Sequence, residues 1–182
     1  MNGWILPKTA TFGGVEYDLC TDFRDVLEII SYLTDKSKTE YVRWKVAVGL
    51  FFEPEIPDEY FQDAMRYLAD FISYGSSNDK PGPKLIDWQQ DVNMIVSDIN
   101  KVAGQEVRAL KYLHWWTFLS YFNGIGEGQL STVVSIRKKK ATGKKLEKWE
   151  QEYYRENKSV VDFNASDTDE VKKEKENILK WL

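Results

Sequence analysis

The sequence predicts a mainly α-helical fold: one helical domain over residues 1–182, with a small N-terminal β-hairpin and a central buried helix. Three observations carry this. Apolar residues recur at helical spacing in most of the chain. Only five prolines interrupt 182 residues. A Gly13-Gly14 pair sits between β-forming residues near the start, which is the signature of a tight hairpin turn.

The expected elements follow in order. Residues 4–6 and 15–20 are strand-like and flank Gly13-Gly14, so 1–21 reads as the hairpin. Thr21 or Asp22 caps a first helix over about 22–34, with Phe23, Val26, Leu27, Ile30 and Leu33 at helical spacing. A polar turn at 35–38 leads to a second helix, about 39–52. Val42, Val46, Gly49 and Leu50 share one side of it, and Tyr41, Trp44, Val48, Phe51 and Phe52 fill much of the rest, so it reads as largely buried. Pro57, Asp58 and Glu59 open a third helix that runs to about 73. Residues 22–73 therefore hold helices one to three.

Residues 74–86 are rich in Gly, Ser and Pro and read as a flexible loop. Asp87 and Gln90 read as a capping box for a helix carrying Trp88, Val92, Ile95, Val96, Ile99, Val102 and Ala103, closed by Gly104. Residues 87–156 form the expected helical core with a basic tip. The central helix is placed at Leu110 to Phe122 and is apolar all round. That pattern means a buried helix, because about 20 residues are needed to span a bilayer. Here His114, Trp115, Trp116 and Phe118 are the expected core residues. Gly124, Gly126 and Gly128 make a tight turn before a helix at about 129–141. A further amphipathic helix over 144–156 carries Leu146, Trp149 and Tyr153 on one stripe. Residues 157–182 read as a C-terminal helical extension, its last helix at about 168–182.

Composition narrows the function. Hydrophobic residues make up 42 % and aromatics 14 %, enough for a packed core. One cysteine, Cys20, allows no intrachain disulfide and points to a reducing compartment. It reads as an inert buried thiol. No signal peptide or membrane span is expected. With a single histidine and a single cysteine there is no zinc signature, and no nucleophile elbow or paired-carboxylate motif is present. His114, set among Leu113, Trp115 and Trp116, reads as a structural histidine. No catalytic residue, metal or cofactor is assigned.

Charge is unevenly spread. The total is −4, yet residues 137–148 hold Arg137, Lys138, Lys139, Lys140, Lys144, Lys145 and Lys148 against the one acid Glu147. Arg137 and Lys138 to Lys140 are the candidate partner-binding residues. Nucleic acid is a disfavoured partner, because the pI is about 5.2 and the nearby aromatics read as buried.

The pattern Leu-His-Trp-Trp-x-Phe at 113–118, followed after a turn by Leu-Ser-x-Val-Val-x-Ile-Arg at 130–137, resembles the bacteriophage gene-product-fifteen family of tailed phages and prophages of Gram-positive bacteria. That resemblance implies a non-enzymatic tail assembly chaperone. Such a protein binds the phage tape measure protein, works alongside other tail assembly proteins and self-associates. It acts in the host cytoplasm and is absent from the finished virion. The rival expectations are a minor structural tail or head–tail joining protein and a nucleic-acid-binding regulator.

Overall fold

A computed structural model describes residues 4–74 and 82–164. The chain is mainly helical, with a small antiparallel sheet near its N-terminus. Its contacts divide into two compact units, one of residues 1–81 and 103–124 and one of residues 82–102 and 125–182. The sequence boundaries cut the chain differently, since 87–156 contributes to both units. The predicted last helix, 168–182, and most of the predicted loop, 75–81, lie outside the described residues.

In the first unit, β1 (Thr9–Phe12) and β2 (Val15–Leu19) form the hairpin. Gly13 and Gly14 have φ of 57° and 81°, the left-handed conformations that a two-residue hairpin turn demands. Gly13 is needed for a second reason: a Cβ there would stand 2.2 Å from the Tyr60 hydroxyl. The first strand is 9–12 and not 4–6. A two-residue turn pairs Phe12 with Val15 and Thr9 with Asp18, so β2 is exhausted before it reaches 4–6. Trp4 is accordingly 97 % exposed. A third strand, β3 (Phe52–Glu53), pairs with β2 and is only two residues long.

Helices α1 (Phe23–Thr34) and α2 (Glu40–Phe51) form an antiparallel pair joined by a turn in which Asp35 accepts the Ser37 N–H at 2.9 Å. Asp22 caps α1 and Thr39 caps α2. Phe23, Val26 and Ile29 of α1 and Ala47, Val48 and Phe51 of α2 are buried. The far side of α2 is not: Tyr41, Val42 and Leu50 are exposed, which corrects the expectation of a largely buried helix. A 3-10 turn at Asp58–Tyr60 precedes α3 (Phe61–Ile72), whose Phe61, Ala64, Leu68 and Phe71 face inward.

In the second unit, the turn at 87–91 precedes α4 (Val92–Ala103), which ends at Gly104 with φ of 68°. The capping box has a different partner from the one expected. Asp87 accepts the Gln90 N–H at 2.9 Å, but the reciprocal acceptor of the Asp87 N–H is Asp91, also at 2.9 Å. The Gln90 amide instead donates to the Asp162 carbonyl. Helices α6 (Gln129–Ala141), α7 (Lys148–Glu156) and α8 (Lys158–Val161) complete this unit, and α5 (Trp115–Asn123) belongs to the first.

Candidate partner-binding surfaces

The predicted central helix begins five residues late. Backbone groups at its expected start are already engaged: the Phe23 N–H donates to Leu113 O at 2.9 Å, and the Trp115 N–H donates to Thr21 O at 2.8 Å. Asp22 adds a side-chain bond, accepting the Leu113 N–H at 2.9 Å. Arg24, itself held by Asp22, donates to the Leu110 carbonyl. Residues 113–115 therefore run beside the start of α1, and α5 can begin only at Trp115.

His114 is the N-cap of that helix, 2 % exposed. Its Nδ1 accepts the Trp116 N–H at 3.0 Å, and its Nε2 lies 3.0 Å from the Pro7 carbonyl. An N–H can only donate and a carbonyl only accept, so the ring is neutral with its proton on Nε2. Burial is the main cause that lowers the pKa of His114; the Pro7 contact opposes it and the Lys8 charge adds to it.

Trp115, Trp116 and Phe118 are all buried. Phe118 stacks on Phe23 with centroids 4.6 Å apart. The indoles do more than fill space. Trp115 donates to Ile72 O and Trp116 to Phe71 O, each at 3.0 Å. These are carbonyls at the end of α3, past its i→i+4 ladder, and Phe71 O also accepts the Tyr74 N–H at 3.3 Å. No periodicity in the sequence announces this capping.

The basic run is divided between interior and surface. Arg137 is 4 % exposed. It forms a two-pronged pair with Asp91, at 2.6 and 2.9 Å, and donates to the carbonyls of Leu85, Val160 and Val161. Its guanidinium lies 4.1 Å from the Phe163 ring centre. Arg137 is thus a buried tie within the second unit and does not belong to an exposed basic surface. Lys139 bonds Glu150 at 2.7 Å, Lys140 bonds Asp162 and sits over the Tyr154 ring, and Lys138 is exposed.

Glu150 is 1 % exposed and accepts both the Lys139 ammonium and the Glu147 N–H, each at 2.7 Å. Burial alone would raise its pKa. Lys139 and the Glu147 N–H outweigh that and hold the carboxyl below its ordinary value. This capping also places the start of α7 at Lys148 and turns Trp149 outward, 55 % exposed, where the sequence predicts it on the buried stripe.

Besides the segment Trp4-Ile5-Leu6, which is 97 %, 63 % and 44 % exposed, the first unit leaves an apolar stripe open on α2. Val42, Val46, Gly49 and Leu50 recur at i, i+4, i+7 and i+8, so they line one face. Val42 and Leu50 are 40 % and 41 % exposed, and Tyr41 beside them is 66 % exposed. The stripe ends at an open groove of about 510 Å³ lined by Cys20, Gly49, Leu50, Phe52, Glu53, Pro54 and Glu55. Cys20 is half-buried and not fully enclosed. Burial, then Asp25 and Glu53, push its thiol pKa up, so it stays protonated at neutral pH.

Among the described residues, no helix is long and apolar enough to cross a membrane, and no group of three or more His, Cys, Asp and Glu is arranged to hold a metal ion. Comparison with curated proteins finds no match, and comparison with solved structures finds none either. The family model described as Bacteriophage Gp15 protein matches residues 5–163, most of the chain, including the His114-Trp115-Trp116 element and the helix that carries Arg137. The chain belongs to the Bacteriophage Gp15 protein family.

Proposed function

We propose that this phage protein is a non-enzymatic tail assembly chaperone that keeps the tape measure protein in solution while the tail is built. The observation that supports this reading is the exposed apolar stripe of α2. Folding leaves Tyr41, Val42 and Leu50 in water beside an open groove, although the chain has enough core to bury such residues. A contiguous apolar surface is the mark of an interaction site, and a helical face with a groove suits an amphipathic helix. Tape measure proteins are long and helical, so they offer amphipathic helical segments as such a partner. The reading places the protein in the host cytoplasm, with other tail assembly proteins and its own copies as further partners, and outside the finished virion.

Co-expression with the phage's tape measure protein tests it. The tape measure should become soluble and co-purify with this chain at a fixed ratio. A tape measure that stays insoluble, together with this chain in purified virions, would replace the chaperone with a structural tail protein.

A further inference from the structure

The groove at the end of α2 has a charge as well as an apolar floor. Glu53 and Glu55 line it, and Asp25 and Glu53 both act on the Cys20 thiol in its wall. None of these three carboxylates has an ion-pair partner among the described residues. Asp25 stands outside the groove lining: burial, then Asp22 and Glu28, raise its pKa, and Arg24 opposes them. Lys45, one turn before Gly49 on α2, makes its contact ion pair with Asp58 at 3.0 Å and feels Glu55 only at longer range. Unpaired carboxylates around an apolar floor favour cations on whatever covers that floor.

Gly49 sets how closely a partner can approach. It stands in the interior of α2, where glycine weakens a helix. A Cβ at Gly49 would meet nothing within 4 Å, so no internal contact requires its small size. Its missing side chain leaves a notch between Val42-Val46 and Leu50, on the open side of the stripe. Such a notch lets the backbone or a large apolar side chain of a second helix come close.

We infer that the α2 stripe and its acidic-rimmed groove dock a basic amphipathic helix, with the partner's apolar ridge over Gly49 and its Lys or Arg residues against Glu53 and Glu55. The inference rests on the chaperone reading only in naming the tape measure protein as the source of that helix.

The probe is a fluorescent 18-residue peptide of Leu and Lys with its leucines in one helical stripe, compared with a twin carrying Glu for every Lys. Anisotropy on the full chain should show saturable binding of the Lys peptide, weakened by added salt. Gly49→Arg, which fills the notch and adds a like charge, should weaken it by roughly tenfold or more, and the double variant Glu53→Lys, Glu55→Lys should do the same. Glu152→Ala, at an exposed position of the second unit, should bind as the wild type does, and thermal melts should show that each variant is folded. Equal binding of the Glu twin overturns the charge argument. Undiminished Lys-peptide binding by folded Gly49→Arg overturns the site. A wild-type dimer that Gly49→Arg converts to monomer, with no peptide binding to either, makes the face a contact between copies and also overturns the inference. Co-purification separates this from the chaperone reading. A tape measure that still co-purifies with Gly49→Arg leaves the chaperone standing and removes the groove. Loss of co-purification with the wild type while the Lys peptide binds does the reverse.

Discussion

Asp91 and Arg137, 46 positions apart, meet in a buried two-pronged ion pair with heavy-atom distances of 2.6 and 2.9 Å. Asp91 is fully buried and Arg137 nearly so. All three guanidinium nitrogens donate, to Asp91 and to the carbonyls of Leu85, Val160 and Val161. A single side chain of α6 thereby ties the turn before α4 to the end of α8.

Breaking one side of such a pair strands the other charge away from water. Arg137→Met and Asp91→Asn should each destabilise the protein by about 3–5 kcal/mol. Arg137→Lys should rescue little, since an ammonium cannot reproduce the fork or its five donors. Lys138→Glu, at an exposed neighbouring position, should stay within about 0.5 kcal/mol of wild type. Urea unfolding of the four variants checks this. A melting curve for Arg137→Met that matches wild type would show that the pair is dispensable.

His114 predicts a pH dependence of stability. Its neutral ring accepts one hydrogen bond and donates another, and burial holds its folded pKa below the unfolded value of about 6.5. The unfolded chain therefore binds the proton more readily. The stabilisation is complete above about pH 6.5 and is lost as pH falls below that value towards the lowered folded pKa. The urea midpoint of wild type should fall between pH 7 and pH 5. That of His114→Ala should start lower and fall less. Parallel curves would remove His114 as the titrating group.

Two glycines should respond oppositely to alanine. A Cβ at Gly128 would lie 2.7 Å from the Asp98 carboxylate, which is buried and accepts the Leu130 N–H at the start of α6. Gly128→Ala should cost about 1–3 kcal/mol. Gly49 is helical with open space around it, so Gly49→Ala should stabilise by about 0.5–1 kcal/mol. Thermal melts of both variants decide it, and a stabilised Gly128→Ala would contradict the Asp98 contact.

Trp115→Phe and Trp116→Phe keep aromatic bulk but remove the indole donors to Ile72 O and Phe71 O. Trp115→Phe should lose about 1–3 kcal/mol by leaving the Ile72 carbonyl without that donor, and Trp116→Phe about 0.5–1.5 kcal/mol, because the Tyr74 N–H still reaches Phe71 O. Hydrogen exchange should show faster opening of the last turn of α3 in both. Unchanged protection there would separate the indoles from the helix end.

Much of the fold was legible because it depends on local rules. Gly13-Gly14 specified the hairpin turn, Gly104 the end of α4, and the spacing of Phe61, Ala64, Leu68 and Phe71 the inner face of α3. The errors arose where distant groups compete for the same backbone. Leu113 and Trp115 are bonded to Phe23 and Thr21, so the helix expected from Leu110 starts at Trp115. The candidate partner-binding run was legible as charge and not as exposure. Nothing near Arg137 in sequence tells it apart from Lys138, yet one is buried on Asp91 and the other faces solvent.

By itself the sequence determined the helical class, the hairpin turn, the residues able to form a core and the resemblance that the family match shows. Periodicity, turn chemistry and composition are properties of neighbours along the chain, so they survive without coordinates. Only the tertiary structure decided which polar groups are satisfied internally and which apolar face stays open. Those outcomes depend on partners tens of residues away: Asp91 for Arg137, Phe71 and Ile72 for the two indoles, Pro7 for His114. The α2 stripe stays open for the same reason. Val42 and Leu50 are as apolar as Val48, and only the packing of α1 and α2 chooses which of them meets water.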